Sequence, residues 1–254
     1  MKSLASSIIR TERDVRLIRL DRRKILVVTC DSSGAIGSKA LDQVKCPPEI
    51  VGKFAARVAL MEALATGAKP ICIAAPLSVE PTPTGKRVLK GIRSEMKYAG
   101  LDSHTPIVES TEKNFKTKQT GVGITVMGLA SPSALRIGRC VAGDEVFALG
   151  VPCVGAKVLS GELQHIIADP RDASALLRYG LIHEIIPAGS MGIIHEAEVM
   201  ARDSTLQFRP DDDMRDILTK SAGPATVILF ACSKVRRALT NIRKPVTRIG
   251  IFAR

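Results

Sequence analysis

The stretch Pro47-Pro48-Glu49-Ile-Val-Gly-Lys53-Phe-Ala-Ala-Arg57-Val-Ala-Leu-Met-Glu62-Ala-Leu-Ala65-Thr-Gly67-Ala-Lys-Pro70-Ile-Cys-Ile-Ala-Ala-Pro-Leu-Ser-Val79 reads as a helix and a strand joined by a short turn. Proline is well placed at a helix start, and Gly67 with Pro70 supplies the stop, so a helix is predicted over residues 49–65. Its polar face is Glu49, Lys53 and Arg57; its apolar face is Val51, Phe54, Ala55, Val58 and Met61. Residues 71–79 follow as a strand. Working outward, residues 14–20, 24–31, 106–109, 120–129 and 145–149 read as strands and residues 84–99 as a helix. That order, ββαβαβββ, predicts an α/β fold built as an α+β sandwich rather than a doubly wound sheet. After residue 150 the pattern restarts, with helices near 154–159, 171–178, 192–202 and 214–220. Strands are expected near 181–186, 205–208, 225–231 and 245–252. Two domains are therefore expected, residues 1–150 and 151–254.

Composition narrows the function. Among 254 residues the formal net charge is +12, but aromatic residues make up only 3% and there is no tryptophan. A basic surface that attracts anionic substrates fits this balance, whereas stacking platforms for nucleic acid are scarce, so nucleic acid is not the expected partner. Six cysteines (Cys30, Cys46, Cys72, Cys140, Cys153, Cys232) show neither a CxxC pair nor a Cys/His cluster. Their scatter argues against zinc and a disulfide framework and fits a reduced cytoplasm. No apolar run approaches the roughly 18 residues of a membrane span, and no signal peptide is read at the N-terminus.

The chemistry-bearing residues are acidic. Asp31 ends a buried strand and opens Asp31-Ser32-Ser33-Gly34-Ala35-Ile36-Gly37-Ser38-Lys39, which reads as a loop able to cradle phosphates through backbone N–H groups, with Lys39 adding a point charge. It is neither a P-loop nor a dinucleotide fingerprint. Glu62 lies near the apolar side of its helix, where a carboxylate needs a partner, a proton or a metal. Glu109 and Glu112 follow a strand, and Asp42 lies between loop segments. Taken singly, each acid also reads as a strand-end cap or a surface salt bridge. Together they suit magnesium, a hard cation that bridges carboxylates to nucleotide phosphates. The four histidines show no ligand spacing, and no GxSxG elbow is present.

In order, these segments resemble the superfamily of aminoimidazole-ribonucleotide synthetase and thiamine-monophosphate kinase. Asp31-Ser32-Ser33-Gly34 is similar to the family's acidic DDAA-type turn, and Glu62 stands where its helix carries Asp ahead of Gly67-Ala68-Lys-Pro70. Glu109-Ser110-Thr111-Glu112 lies where the family has GGDT, and Arg136-Ile-Gly-Arg-Cys-Val-Ala-Gly143-Asp144 matches its RxGxxxxGD step. Within the superfamily, Cys30-Asp31-Ser32 with Ile36-Gly37, together with residues 44–52, 77–85, 110–121, 185–190 and 221–226, look most like bacterial α-ribazole kinases. The resemblance implies two α/β domains, the N-terminal one dimerising through its strands with ATP bound near that interface. It implies ATP- and Mg2+-dependent phosphorylation of the ribose 5′-hydroxyl of α-ribazole, a nucleoside of the cobalamin lower ligand. Carried over by position, Asp31, Glu62, Glu109 and Glu112 are candidate metal or ATP ligands, and Arg136 and Asp144 are further candidates. Asp42 and Glu184 are candidate general bases. The family's second Asp is Ser32 here, and its C-terminal DxSDG step is replaced by His183-Glu184-Ile-Ile-Pro-Ala-Gly-Ser190. Rival readings are a related ATP-dependent enzyme with another acceptor, such as thiamine monophosphate or another nucleoside, and a non-catalytic nucleotide-binding protein.

Overall fold

Two glycines set how the first helices meet. Helix α1 (Pro48–Ala65) crosses helix α2 (Lys86–Tyr98) so closely that a Cβ on Gly52 would lie 2.1 Å from the Val88 carbonyl oxygen. A Cβ on Gly91 would lie 1.9 Å from that of Glu49. Any side chain at either position would push the helices apart. Next to this contact, Arg57 Nε lies 2.5 Å from Glu95 Oε1, with both side chains 0% exposed. The Arg57 guanidinium also lies 4.6 Å from the centre of the Phe54 ring. The sequence predicted Arg57 on a polar, solvated face. It is buried instead, because α2 covers that face and supplies the carboxylate.

In the computed structural model, residues 7–233 and 242–254 are described. The chain divides into two compact units: residues 1–9, 15–63 and 68–132 form the first, and residues 10–14, 64–67 and 133–254 the second. The first holds β1 (Ile8–Ile9), β2 (Val15–Arg19), β3 (Ile25–Gly34), a small bridge of β4 (Ile36–Gly37) with β5 (Val44–Lys45), β6 (Lys69–Leu77), β7 (Ile107–Thr111) and β8 (Gly121–Ala130). Its six-stranded mixed sheet runs β1-β2-β3-β8-β6-β7, with β6 and β7 parallel across the α2 connection and the other pairs antiparallel. Alternation sorts each strand. Ile25, Val27 and Thr29 of β3 and Val122, Ile124 and Val126 of β8 are buried, and the Thr29 hydroxyl donates to the Ala59 carbonyl of α1 at 2.7 Å. The alternate residues, Leu26, Val28 and Cys30 on β3 and Thr125, Met127 and Leu129 on β8, are half-buried or exposed. One face of this sheet therefore lies under α1, and the other is open.

The second unit contains β9 (Glu145–Leu149), α3 (Ala156–Leu163), α4 (Pro170–Arg178), β10 (Ile182–Ala188), α5 (Ile193–Asp203), β11 (Gln207–Pro210), α6 (Arg215–Leu218), β12 (Val227–Cys232) and β13 (Val246–Ala253). Its antiparallel sheet runs β10-β12-β9-β13-β11, and α5 buries Ile193, Ala197 and Met200 against Val227, Leu229 and Phe252. Asp169 and Asp172 form a reciprocal capping box at the start of α4. The step between units falls at Pro132/Ser133, upstream of the expected point near residue 150. β9 pairs on both sides with strands that follow it, β12 and β13, and so belongs to the second sheet.

Three loops meet at one end of the first sheet, residues 35–47, 78–85 and 112–120. Asp42 is buried and accepts from Lys39 N–H at 2.8 Å, Thr120 N–H at 2.7 Å and the Thr120 hydroxyl at 2.7 Å. Gly37 packs so tightly against this knot that a Cβ would meet Thr120 Oγ1 at 2.4 Å. Burial works against Asp42's charge, but the bonds from Thr120 and Lys39 outweigh it and hold its pKa below the ordinary value. Asp42 is thus a loop clamp, not the free base the sequence offered. The Lys39 ammonium, expected on phosphate, lies 2.5 Å from Glu80 Oε2 and donates to the Thr117 carbonyl at 3.2 Å. The Thr84 hydroxyl donates to the other Glu80 oxygen.

Two predictions follow from this packing. Glu95→Gln removes the carboxylate charge from a fully buried ion pair and should cost about 3–5 kcal/mol, read as a lower midpoint in urea unfolding. Glu80 is held at about 2 against an ordinary 4.5, because the bonds from Lys39 and Thr84 outweigh the effect of burial. A depressed folded-state pKa stabilises above 4.5, and that contribution disappears as pH falls toward 2. Glu80→Gln should therefore flatten the acid limb of a Tm-against-pH curve between those values; an unchanged slope would show that the clamp contributes nothing.

Candidate active site

Strand β3 outruns its neighbour. It pairs with β2 only from Ile25 to Thr29, but with β8 along its whole length to Gly34 opposite Gly121. Asp31, Ser32, Ser33 and Gly34, read from sequence as a flexible loop, therefore belong to a strand. Small polar residues gave no local sign of the ladder that β8 supplies from ninety residues downstream. The segment from Cys30 to Gly34 has β8 on one side and no paired strand on the other among the described residues, which leaves backbone groups free for a ligand.

Asp31 stands in that segment. It pairs with Ile124 and follows Thr29 in the alternation that points toward the α1 side. No side chain bonds to it among the described residues, and burial pushes its pKa up to about 6, against a hydrogen bond from the Ser32 backbone. A half-buried carboxylate with no cation is an unsatisfied charge, and such groups concentrate at functional sites.

Glu109 and Glu112 do not join it. Glu109 pairs with Ala75 on β6, so β8 and β6 both lie between it and Asp31. Three inter-strand steps separate the two carboxylates by about 14 Å, too far for one ion. Glu112 turns back on its own loop and accepts from the N–H groups of Asn114 at 2.7 Å and Phe115 at 3.2 Å. Glu62 is half-buried on α1. Among the described residues no group of three or more His, Cys, Asp or Glu side chains converges on a metal position. Strand spacing keeps Glu109 from Asp31 and a loop cap occupies Glu112, so the expected set of four carboxylates is not assembled among the described residues.

Arg136 and Asp144 belong to the second unit. Arg136 donates from its backbone N–H to Thr66 O at 2.8 Å and from Nη1 to Ile182 O at 3.4 Å. Asp144 is fully buried; its Oδ2 accepts from Val141 N–H at 2.9 Å and lies 2.7 Å from His183 Nδ1. The RxGxxxxGD step therefore builds the Gly143 turn (φ 94°) that leads into β9. Glu184, the other candidate base, is buried against the Arg13 guanidinium and accepts from Arg139 N–H at 2.8 Å. It has no free oxygen to take a substrate proton. Sequence reading missed the pairing of Lys39 with Glu80, although Glu80 ahead of Pro81-Thr-Pro-Thr84 is a charge at the mouth of a helix and was visible as such.

Comparison with known proteins agrees with this architecture. Residues 12–130 match the family described as AIR synthase related protein, N-terminal domain. Curated protein sequences give no match. Among solved structures, hydrogenase maturation protein HypE in complex with ATP superposes with a TM-score of 0.65 at 16% identity, over 92% of this chain and 78% of that one. Thiamine-monophosphate kinase from Stenotrophomonas maltophilia gives 0.60 at 17% identity, over 97% of this chain and 89% of that one. The enzyme of that name from Aquifex aeolicus gives 0.61 at 16% identity, over 90% and 85%. Residues 12–130 thus resemble the AIR synthase-related N-terminal domain, and the chain as a whole shares its fold with these solved structures.

Proposed function

We propose that this protein is an ATP- and magnesium-dependent phosphotransferase acting on a small-molecule hydroxyl, with the ribose 5′-hydroxyl of α-ribazole as acceptor. The observation that carries the reading is Asp31, a half-buried carboxylate without a cation, set in the unpaired end of β3 beside three stitched loops. Magnesium commonly takes one or two carboxylates and completes its shell with phosphate oxygens and water, so Asp31 alone fits one protein ligand. Bound there, the ion would neutralise charge on the phosphates, which is most of what phosphoryl transfer asks of an enzyme. The free backbone edge at Ser32, Ser33 and Gly34 orients the nucleotide. The superposed hydrogenase maturation protein was crystallised with ATP, which supports a nucleotide as ligand. The α-ribazole acceptor rests on the sequence resemblance.

A homodimer belongs to the same reading. The open face of the first sheet carries Val28, Met127 and Leu129, and Val108 on its edge strand is 62% exposed. An apolar sheet face of this kind is an association surface, and a second copy would bring a second set of carboxylates near the first. The failure of the acids to converge within one chain also favours a second reading, a nucleotide-binding protein without turnover.

The deciding assay follows ADP formation with magnesium and ATP, offering α-ribazole, thiamine monophosphate or no acceptor. ADP and a phosphorylated product only with α-ribazole is the expected result. ATP binding without turnover on any acceptor would remove the kinase reading and leave the nucleotide-binding one. Asp31→Asn should abolish turnover with an unchanged circular dichroism spectrum; near wild-type activity in that variant would dismiss the metal assignment. Met127→Glu should convert a sedimenting dimer to a monomer. If the unaltered protein already sediments as a monomer, the open face is not the dimer contact.

A further inference from the structure

The loop of residues 112–120 combines a rigid backbone with an unusual surface. Glu112 N–H donates to Val79 O at 2.9 Å, and its carboxylate caps Asn114 and Phe115. Lys39 holds the Thr117 carbonyl, Leu41 N–H holds the Lys118 carbonyl at 2.9 Å, and Gln119 Nε2 donates to Leu41 O at 2.8 Å. Thr120 is fastened to Asp42 and by its carbonyl to Ala35 N–H at 2.9 Å. Both limbs of the loop are thus tied to the 35–47 loop and to the end of β6.

On this frame one ring and three ammonium groups are left free. Phe115 is 76% exposed, and of the six phenylalanines it alone is exposed. Lys113, Lys116 and Lys118 are exposed, and none has a hydrogen bond or ion pair from its ammonium group among the described residues. The Thr117 hydroxyl between them is buried without a partner. Lys113, Lys116 and Lys118 put three unpaired cations on a six-residue stretch of one loop, a surface that attracts anions. A ring presented on a fastened turn loses little freedom when a planar ligand stacks on it. One ring serves one base, whereas a nucleic-acid strand needs successive platforms.

We propose that residues 112–120 form a nucleotide-binding arm in which Phe115 stacks on the base and Lys113, Lys116 and Lys118 neutralise the phosphates. The chemistry recognised is a planar heterocycle joined to phosphate, shared by ATP and by a nucleoside monophosphate product. This deepens the phosphotransferase reading and rests on it only for which nucleotide occupies the arm.

The test uses the full chain. Because the protein contains no tryptophan, Phe115→Trp installs a single emitter at the proposed stacking position. Its emission should be quenched on titration with ATP, with benzimidazole riboside 5′-monophosphate, or with both, and the ligand that quenches identifies the occupant. Phe115→Ala should weaken binding of that nucleotide about tenfold by equilibrium dialysis, the order expected for one lost stack. The triple Lys113→Ala, Lys116→Ala, Lys118→Ala variant should show a shallower salt dependence of the same affinity. Emission that does not change through saturation, with Phe115→Ala within about twofold of the unaltered protein, overturns the arm even if turnover is normal. Conversely, quenching and weakened binding without turnover on any acceptor support the arm and remove only the phosphotransfer step. Absence of any nucleotide binding by the unaltered protein removes both.

Discussion

The closest approach in the first unit is a backbone contact that tolerates no side chain. At Gly52 and Gly91 the two helices touch through carbonyl oxygens, and that spacing is what allows Arg57 to reach Glu95 across the crossing with no water between them. Burying an ion pair gains little net stability over apolar packing, but losing either partner is expensive. The pair therefore fixes how the helices cross more than it strengthens the unit. Helices held this way cover one face of the six-stranded sheet and leave the other face open.

What the helices cover also decides where an unpaired charge can be kept. β2 begins at Val15, opposite Thr29, while β3 continues to Gly34, so the last residues of β3 are half sheet and half edge. Asp31 is shielded enough there to lose solvation but is not given a counter-ion, whereas Asp42, Glu80 and Glu112 nearby are each consumed by a structural task. The arrangement separates acids that hold loops from Asp31, which remains available.

Much of the architecture was legible because it is locally encoded. Proline at the start and glycine after the end marked α1, and alternation marked β6 and β8. The second-half elements fell close to where periodicity put them. Features that depend on distant partners were not legible. Arg57 looks like a surface residue until α2 is laid on it, and Asp31 to Gly34 looks like a loop until β8 pairs with it. β9 looks like the last strand of the first domain until later strands flank it. The same holds for the candidate site: residue types pointed to the acids, but only pairing register shows that Asp31 and Glu109 stand three inter-strand steps apart.

The chain crosses between its two units more than once, since residues 10–14 and 64–67 belong with the second. Arg13 is buried against Glu184, and the two are separated by 171 positions along the chain. During synthesis the guanidinium emerges early and its carboxylate very late, so the second unit cannot complete its interior until most of the polypeptide exists. Closing so long a loop is entropically tolerable, but it makes the ends of folding interdependent. Such a protein does not separate into a head and a tail that mature in turn, and a break at the Pro132/Ser133 step would strand a buried charge on either fragment.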